Sequence, residues 1–141
     1  MTTERGMTPA DLDFDDWVLQ HAESIAEARR VSVAALGTEP GEIAAQLAHV
    51  RRYFVQMGLL LQDATSWVLK SHAVATQETR KLYGDYPADE RKIMAKADPS
   101  YLCALKMQGD IETTVSALKQ MHFEILNGRR ATFNPQAHND D

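Results

Sequence analysis

One cysteine, Cys103, is all the sulfur chemistry of this kind that the chain carries. With no partner for it in the chain, a disulfide-stapled secreted scaffold is excluded, and a reducing compartment suits the composition. Seven Gly and five Pro are few, and there is no repeat or low-complexity tract. Aromatic residues make up 7%. The longest uncharged stretch, Tyr53 to Gln62, is too short to span a bilayer. No basic-then-apolar segment opens the sequence, so a soluble, cytoplasmic protein with no membrane partner is expected. The glycine spacing of a phosphate loop or dinucleotide fold is missing too.

What is present is a chain of 141 residues and 15.8 kDa, 44% hydrophobic and 25% charged. That allows one domain or a few long helices and leaves no room for two full cores. The net charge of −5 argues against a basic nucleic-acid binder over the chain as a whole. Its distribution says more. Residues 1–41 carry 3 basic and 8 acidic groups, whereas residues 42–84 carry 5 and 3. The central region holds the pairs Arg51-Arg52, Arg80-Lys81 and Arg91-Lys92, with Lys70 between the first two. A solvated mixed-charge helix face and a phosphate-contacting stripe both account for this pattern.

Hydrophobic spacing predicts an all-α protein. Residues 1–13 read as a flexible acidic lead. A single helical domain over 14–128 follows, and 129–141 form a disordered tail. The first helix, about 14–36, begins behind Asp13, Asp15 and Asp16, where the helix dipole favours negative charge, and ends at Gly37. The second, about 42–82, is the clearest signal. Ile43, Leu47, Val50, Phe54, Met57, Leu61, Ala64 and Val68 recur at alternating spacings of four and three, a heptad seam. Beyond Val68 the seam turns small and polar, and Leu60 and Trp67 widen it. Such a helix is roughly 60 Å long and needs another long helix against its seam. Self-association through residues such as Leu47, Phe54 and Leu61 is the economical expectation. Tyr83-Gly84-Asp85-Tyr86-Pro87 breaks the rod. A short helix at 88–97 follows, and a last helix at 99–127 is capped by Asp98, opened by Pro99 and stopped at Asn127-Gly128.

The search for chemistry predicts no catalytic residue, no metal and no cofactor. None of the five histidines pairs at metal-ligand spacing, and none forms a zinc pattern with Cys103. His122 reads as a core or interface histidine, and Cys103 as facing the last helix's interior or its partner. Glu23 and Glu27 share a helix face but lack a Glu-x-x-His companion. The aromatic residues beside the basic pairs are more suggestive. Tyr83 and Tyr86 follow Arg80-Lys81 within a few residues, so unpaired bases could stack there while the cations hold phosphates. The same tyrosines could equally staple the helix break.

From Thr79 to Phe133 the chain runs through a basic-aromatic segment (Arg80-Lys81-Leu82-Tyr83, then Asp85-Tyr86), a charged helix from Asp89 to Asp98 with an Ala-Asp step, and a terminal helix ending Leu118-Lys119-Gln120-Met121-His122-Phe123-Glu124-Ile125. This resembles the UvsY-type recombination mediators of tailed phages. The resemblance implies a non-enzymatic protein that binds single-stranded DNA, forms a ring-like homo-oligomer, and helps a RecA-type recombinase displace a single-strand-binding protein in the host cytoplasm. Carried over by position, the family's DNA-binding segment falls on Arg80 and Lys81, with Lys70 upstream. The oligomerising terminal helix falls on Leu105, Ile111, Val115, Leu118 and Ile125. The expected interface to the single strand is then Lys70, Arg80, Lys81, Tyr83, Tyr86, Arg91 and Lys92. The alternative is a helical structural, scaffold or assembly-chaperone protein with no nucleic-acid role.

Overall fold

The computed structural model describes the backbone of residues 13–133 and the side chains through residue 128. Four helices, α1 (Phe14–Ser32), α2 (Pro40–Leu82), α3 (Ala88–Lys96) and α4 (Pro99–Phe133), make up 87% of those residues, with no strand among them. The expected all-α class holds. Two compact units divide the chain: Met1–His21 with Leu59–Ile111, and Ala22–Gly58 with Glu112–Asp141. The helices α1, α2 and α4 each contribute a segment to both.

The starts of α1 and α4 follow from side-chain caps. The Asp13 carboxylate accepts a hydrogen bond from the Asp16 amide at 2.8 Å, satisfying one of the free donors of the first turn of α1. The same negative charge, joined by that of Asp15, raises the pKa of Asp16 above its ordinary value. Asp98 caps α4 likewise, accepting from the Tyr101 amide at 3.0 Å. Pro40 opens α2, a position where its missing N–H loses nothing.

Two helix ends differ from expectation. The helix α1 stops at Ser32, four residues short of Leu36, and Gly37 does not end it with a left-handed turn, because no described glycine has a positive φ. Gly37 is needed for close approach: a Cβ there would meet Glu42 Cβ at 3.0 Å and the Ile43 amide nitrogen at 3.2 Å. Gln46 holds this reversal, accepting from the Gly37 amide and donating to the Ala35 carbonyl, both at 2.9 Å. At the other end, α4 continues through Gly128 to Phe133. A glycine inside a helix costs only about 1 kcal/mol, which the helix-favouring Arg129, Arg130 and Ala131 offset. Residues 129–133 of the expected disordered tail are thus helical; residues 134–141 and 1–12 lie outside the described residues.

In the unit that holds the middle and carboxy-terminal part of α2, Trp17, Leu60, Ala64, Trp67, Ala75, Ala104 and Ile111 are buried. Phe14 stacks on Trp17 at 6.2 Å and meets Trp67 edge-on at 5.6 Å. The Trp17 indole donates to Asp63 at 3.3 Å, and the His21 ring lies 5.4 Å from it. Gln108 donates to Thr65 at 3.1 Å, tying α4 to α2. Ala95 is the one buried residue of α3. In the other unit the buried set is Ile25, Ala28, Leu47, Val50, Met57, Thr114, Leu118, Met121 and Ile125. At its edge Gln56 donates to Ser24 at 3.3 Å and Arg51 donates to the His122 ring nitrogen at 3.2 Å.

The seam of α2 therefore finds its cover inside one chain, with Val50 and Met57 wholly buried there. Its register also shifts. From Met57 onward the buried positions are Leu60, Ala64 and Trp67, while Leu61 and Val68 are half-buried and Leu82 is 70% exposed. A straight helix at 3.6 residues per turn drifts off a strict heptad by about 20° per repeat, and a seam met by two helices does not force the repeat back. Cys103, expected to face inward, is exposed, because its neighbour Ala104 occupies the core position.

Two predictions follow from these contacts. Leu118→Ala should lower stability by about 2–5 kcal/mol in denaturant melts, whereas Leu69→Ala, at an exposed site, should stay within about 0.5 kcal/mol. His21 is half-buried, and desolvation lowers its pKa below the ordinary 6.5, opposed by the nearby Asp63 carboxylate. A histidine depressed in the folded state stabilises above its unfolded pKa and loses that contribution as pH falls. The melting midpoint should therefore drop less between pH 7.5 and pH 5.5 in His21→Gln than in the parent chain.

Candidate nucleic-acid interface

The cationic face is built where α2 ends and α3 begins. Apolar spacing gives way to hydroxyls in the last turns of α2: Thr76 and Thr79 donate back to the His72 and Ala75 carbonyls at 2.8 and 2.7 Å, keeping their hydroxyls satisfied. Arg80 and Lys81 occupy the last turn, where the helix dipole favours positive charge. The chain then reverses tightly. The Tyr83 amide donates to the Thr79 carbonyl at 2.8 Å, and the Tyr86 amide to the Tyr83 carbonyl at 3.0 Å. Gly84 lies so close that a Cβ would sit 3.0 Å from the Arg80 carbonyl oxygen. Pro87, with φ −57° and ψ 149°, then sets the direction of α3.

This reversal folds one face of α3 back over one face of α2. Between them lies a cavity of about 310 Å³ lined by His72, Thr76, Arg80, Ala88, Arg91, Lys92, Ala95 and Lys96. Four of those side chains are permanent cations and none is a carboxylate. Asp89 and Glu90, the acids of α3, are exposed and belong to its first turn. Arg91 is half-buried, and its Nε is buried without a hydrogen-bond partner.

Of the seven residues expected to bind a strand, the structure brings Arg80, Arg91 and Lys92 together around this cavity. Tyr83 and Tyr86 belong to the reversal that joins the two helices and are not part of this lining; their rings lie 5.4 Å apart and edge-to-face, 41% and 45% exposed. Lys81 is exposed on the last turn of α2. Lys70 lies elsewhere. At 100° per residue it is turned about 80° from Arg80 and about 160° from His72 around α2, with its Nζ 5.0 Å above the Trp67 ring. There, Lys70, Trp67 and Tyr83 help line a separate groove of about 700 Å³, and the Trp67 indole nitrogen is buried without a partner. Three residues of the basic cavity, His72, Thr76 and Lys96, were missed by sequence reasoning. Their signal was faint but real: His72, Thr76 and Arg80 recur every four residues on α2, as Ala88, Lys92 and Lys96 do on α3.

The residues expected at an oligomer interface have other surroundings. Leu47, Ile111, Leu118 and Ile125 are buried within the chain, Leu61, Leu105 and Val115 are half-buried, and Phe54 is 37% exposed. The first four are already occupied by the chain's own core. Among the described residues no group of three or more His, Cys, Asp or Glu could hold a metal ion, and Glu27 is paired with Arg30. No helix among them is long and apolar enough to cross a membrane. No family model matches this chain, and neither a curated protein nor a solved structure matches it.

Proposed function

We propose that this protein is a non-catalytic accessory factor that binds single-stranded DNA through the face formed by the end of α2, the 83–87 reversal and α3. The observation that carries the reading is the convergence of Arg80, Arg91, Lys92 and Lys96 on one cavity with no carboxylate in its lining. Cations so gathered suit a phosphate backbone, and the exposed tyrosines of the adjoining 83–87 reversal suit unpaired bases. Because Tyr83 and Tyr86 meet edge-to-face, each offers its own stacking surface and the two do not form one continuous platform. Lys81 extends the charge outward along the strand. The resemblance to the recombination mediators adds the rest of the proposal: loading of a RecA-type recombinase against a single-strand-binding protein, by a homo-oligomer. One copy offers few cations, and several copies on one strand would gain affinity through effective concentration.

Fluorescence-anisotropy titration with labelled single- and double-stranded oligonucleotides across a salt series tests the reading. Single-stranded DNA should bind more tightly. If Arg80, Lys81, Arg91, Lys92 and Lys96 each neutralise one phosphate, the log–log salt slope per copy should be about −3.5, at about −0.7 per phosphate. Arg80→Ala with Lys81→Ala should flatten it by about 1.4, with the helical circular-dichroism signal retained. An unchanged slope would remove this face from the interface. No binding at low salt by a folded chain would leave the scaffold or assembly reading in its place.

A further inference from the structure

We infer that the groove of about 700 Å³ along the carboxy-terminal part of α2 is a docking surface for this chain's own residues 1–12. The inference is independent of the single-strand reading, because it starts from the way α1 packs. In one unit Gln56 meets Ser24 at 3.3 Å. In the other, Trp17 donates to Asp63 at 3.3 Å and Phe14 meets Trp67 edge-on at 5.6 Å. Each step toward the amino end of α1 thus moves its contact about as far toward the carboxyl end of α2. The helix α1 begins at Phe14, and the cover it gives α2 stops there. The face it covers does not stop. Counting on from Trp67 by four, three, four and four gives Ser71, Val74, Glu78 and Leu82, one side of α2, and all of them line the groove. Val74 is 50% and Leu82 70% exposed, although this wall prolongs a buried seam.

The occupant follows from where the chain enters. Carrying the register back from the Phe14–Trp67 contact sets Ala10 at Ser71 and Met7 at Val74, apolar residues at the same spacing of four and three. A methionine suits an irregular wall, since its unbranched thioether adapts to gaps. Charges agree as well. The same register brings Asp11 to Lys70, and it brings Arg5 within one turn of Glu78. Reach is sufficient: the step from Phe14 back to Met7 spans roughly 10 Å even at the helical rise, which equals the rise from Trp67 to Val74. A segment tethered beside its groove needs little intrinsic affinity, because the tether holds it at a high effective concentration.

Disulfide cross-linking in the full chain tests the docking, in a Cys103→Ser background that leaves no native thiol. Met7→Cys with Val74→Cys should close a bridge within one chain about tenfold faster than Met7→Cys with Leu69→Cys, since a bridge needs Cβ atoms about 3.5–4.5 Å apart. Leu69 and Val74 are both exposed, so neither change disturbs the core, and they lie about 140° apart around α2. Circular dichroism verifies that both variants stay helical. Adding Ala10→Asp, which sets a carboxylate against the seam, should slow the Val74 bridge about tenfold and leave the Leu69 bridge unchanged. Equal or slower closure at Val74 would overturn the docking. So would a Val74 bridge indifferent to Ala10→Asp, because the tether alone would then account for it. A bridge at Val74 that joins two chains, read as a dimer on non-reducing electrophoresis, would place a second copy in the groove and overturn it too.

Discussion

A helix of 43 residues cannot shield its own apolar face, and the rest of this chain is arranged around that constraint. At 1.5 Å per residue α2 extends roughly 65 Å, longer than any one core in a protein of this size. Its cover comes in instalments. Leu47, Val50 and Met57 are buried in one unit; Leu60, Ala64 and Trp67 are buried in the other, where the Phe14–Trp17–Trp67 cluster and the Trp17–Asp63 hydrogen bond fix α1 against the rod. Asp63 does two things there. It accepts from a buried indole, and its charge partly counters the desolvation of His21. Polar groups on this rod are used where the aromatic residues need them.

Toward its end α2 changes character. The large apolar residues give way to Ala75 and Thr79, small enough for other segments to come close. The threonine hydroxyls bond back into the helix, so they are satisfied without a polar partner on another helix. Helix dipole and sequence then agree in placing Arg80 and Lys81 at the terminus. Fading hydrophobicity and rising positive charge are two sides of one design: the last turns of the rod are free to face a ligand.

Much of this was legible in the residues alone. Asp13 and Asp98 announce the starts of α1 and α4 because a carboxylate one residue before a helix has an obvious use for free amides. The seam announced the long helix. Less legible were features that depend on tertiary neighbours. Gly37 looks like a helix stop, yet its role is to let the chain pass close to Glu42, a distance that no local pattern encodes. Leu60 displaces Leu61 from the buried line because the cover comes from two helices of the same chain; spacing alone cannot distinguish that from a second copy. His72, Thr76 and Lys96 resemble a solvated face until α3 folds over them, so the cavity they share was hidden by the sequence distance between α2 and α3.

The helix α3 has nine residues and buries one alanine. Short helices hold their shape through tertiary packing, and one methyl group provides little of it. The space that better packing would have filled is the cationic cavity, so whatever occupies that cavity also completes the core beneath α3. Occupancy and helix order are then coupled: an anion bound there would slow the opening of α3 amides to solvent, and the factor by which it favours the ordered helix is the factor by which ordering the helix tightens its hold on the anion.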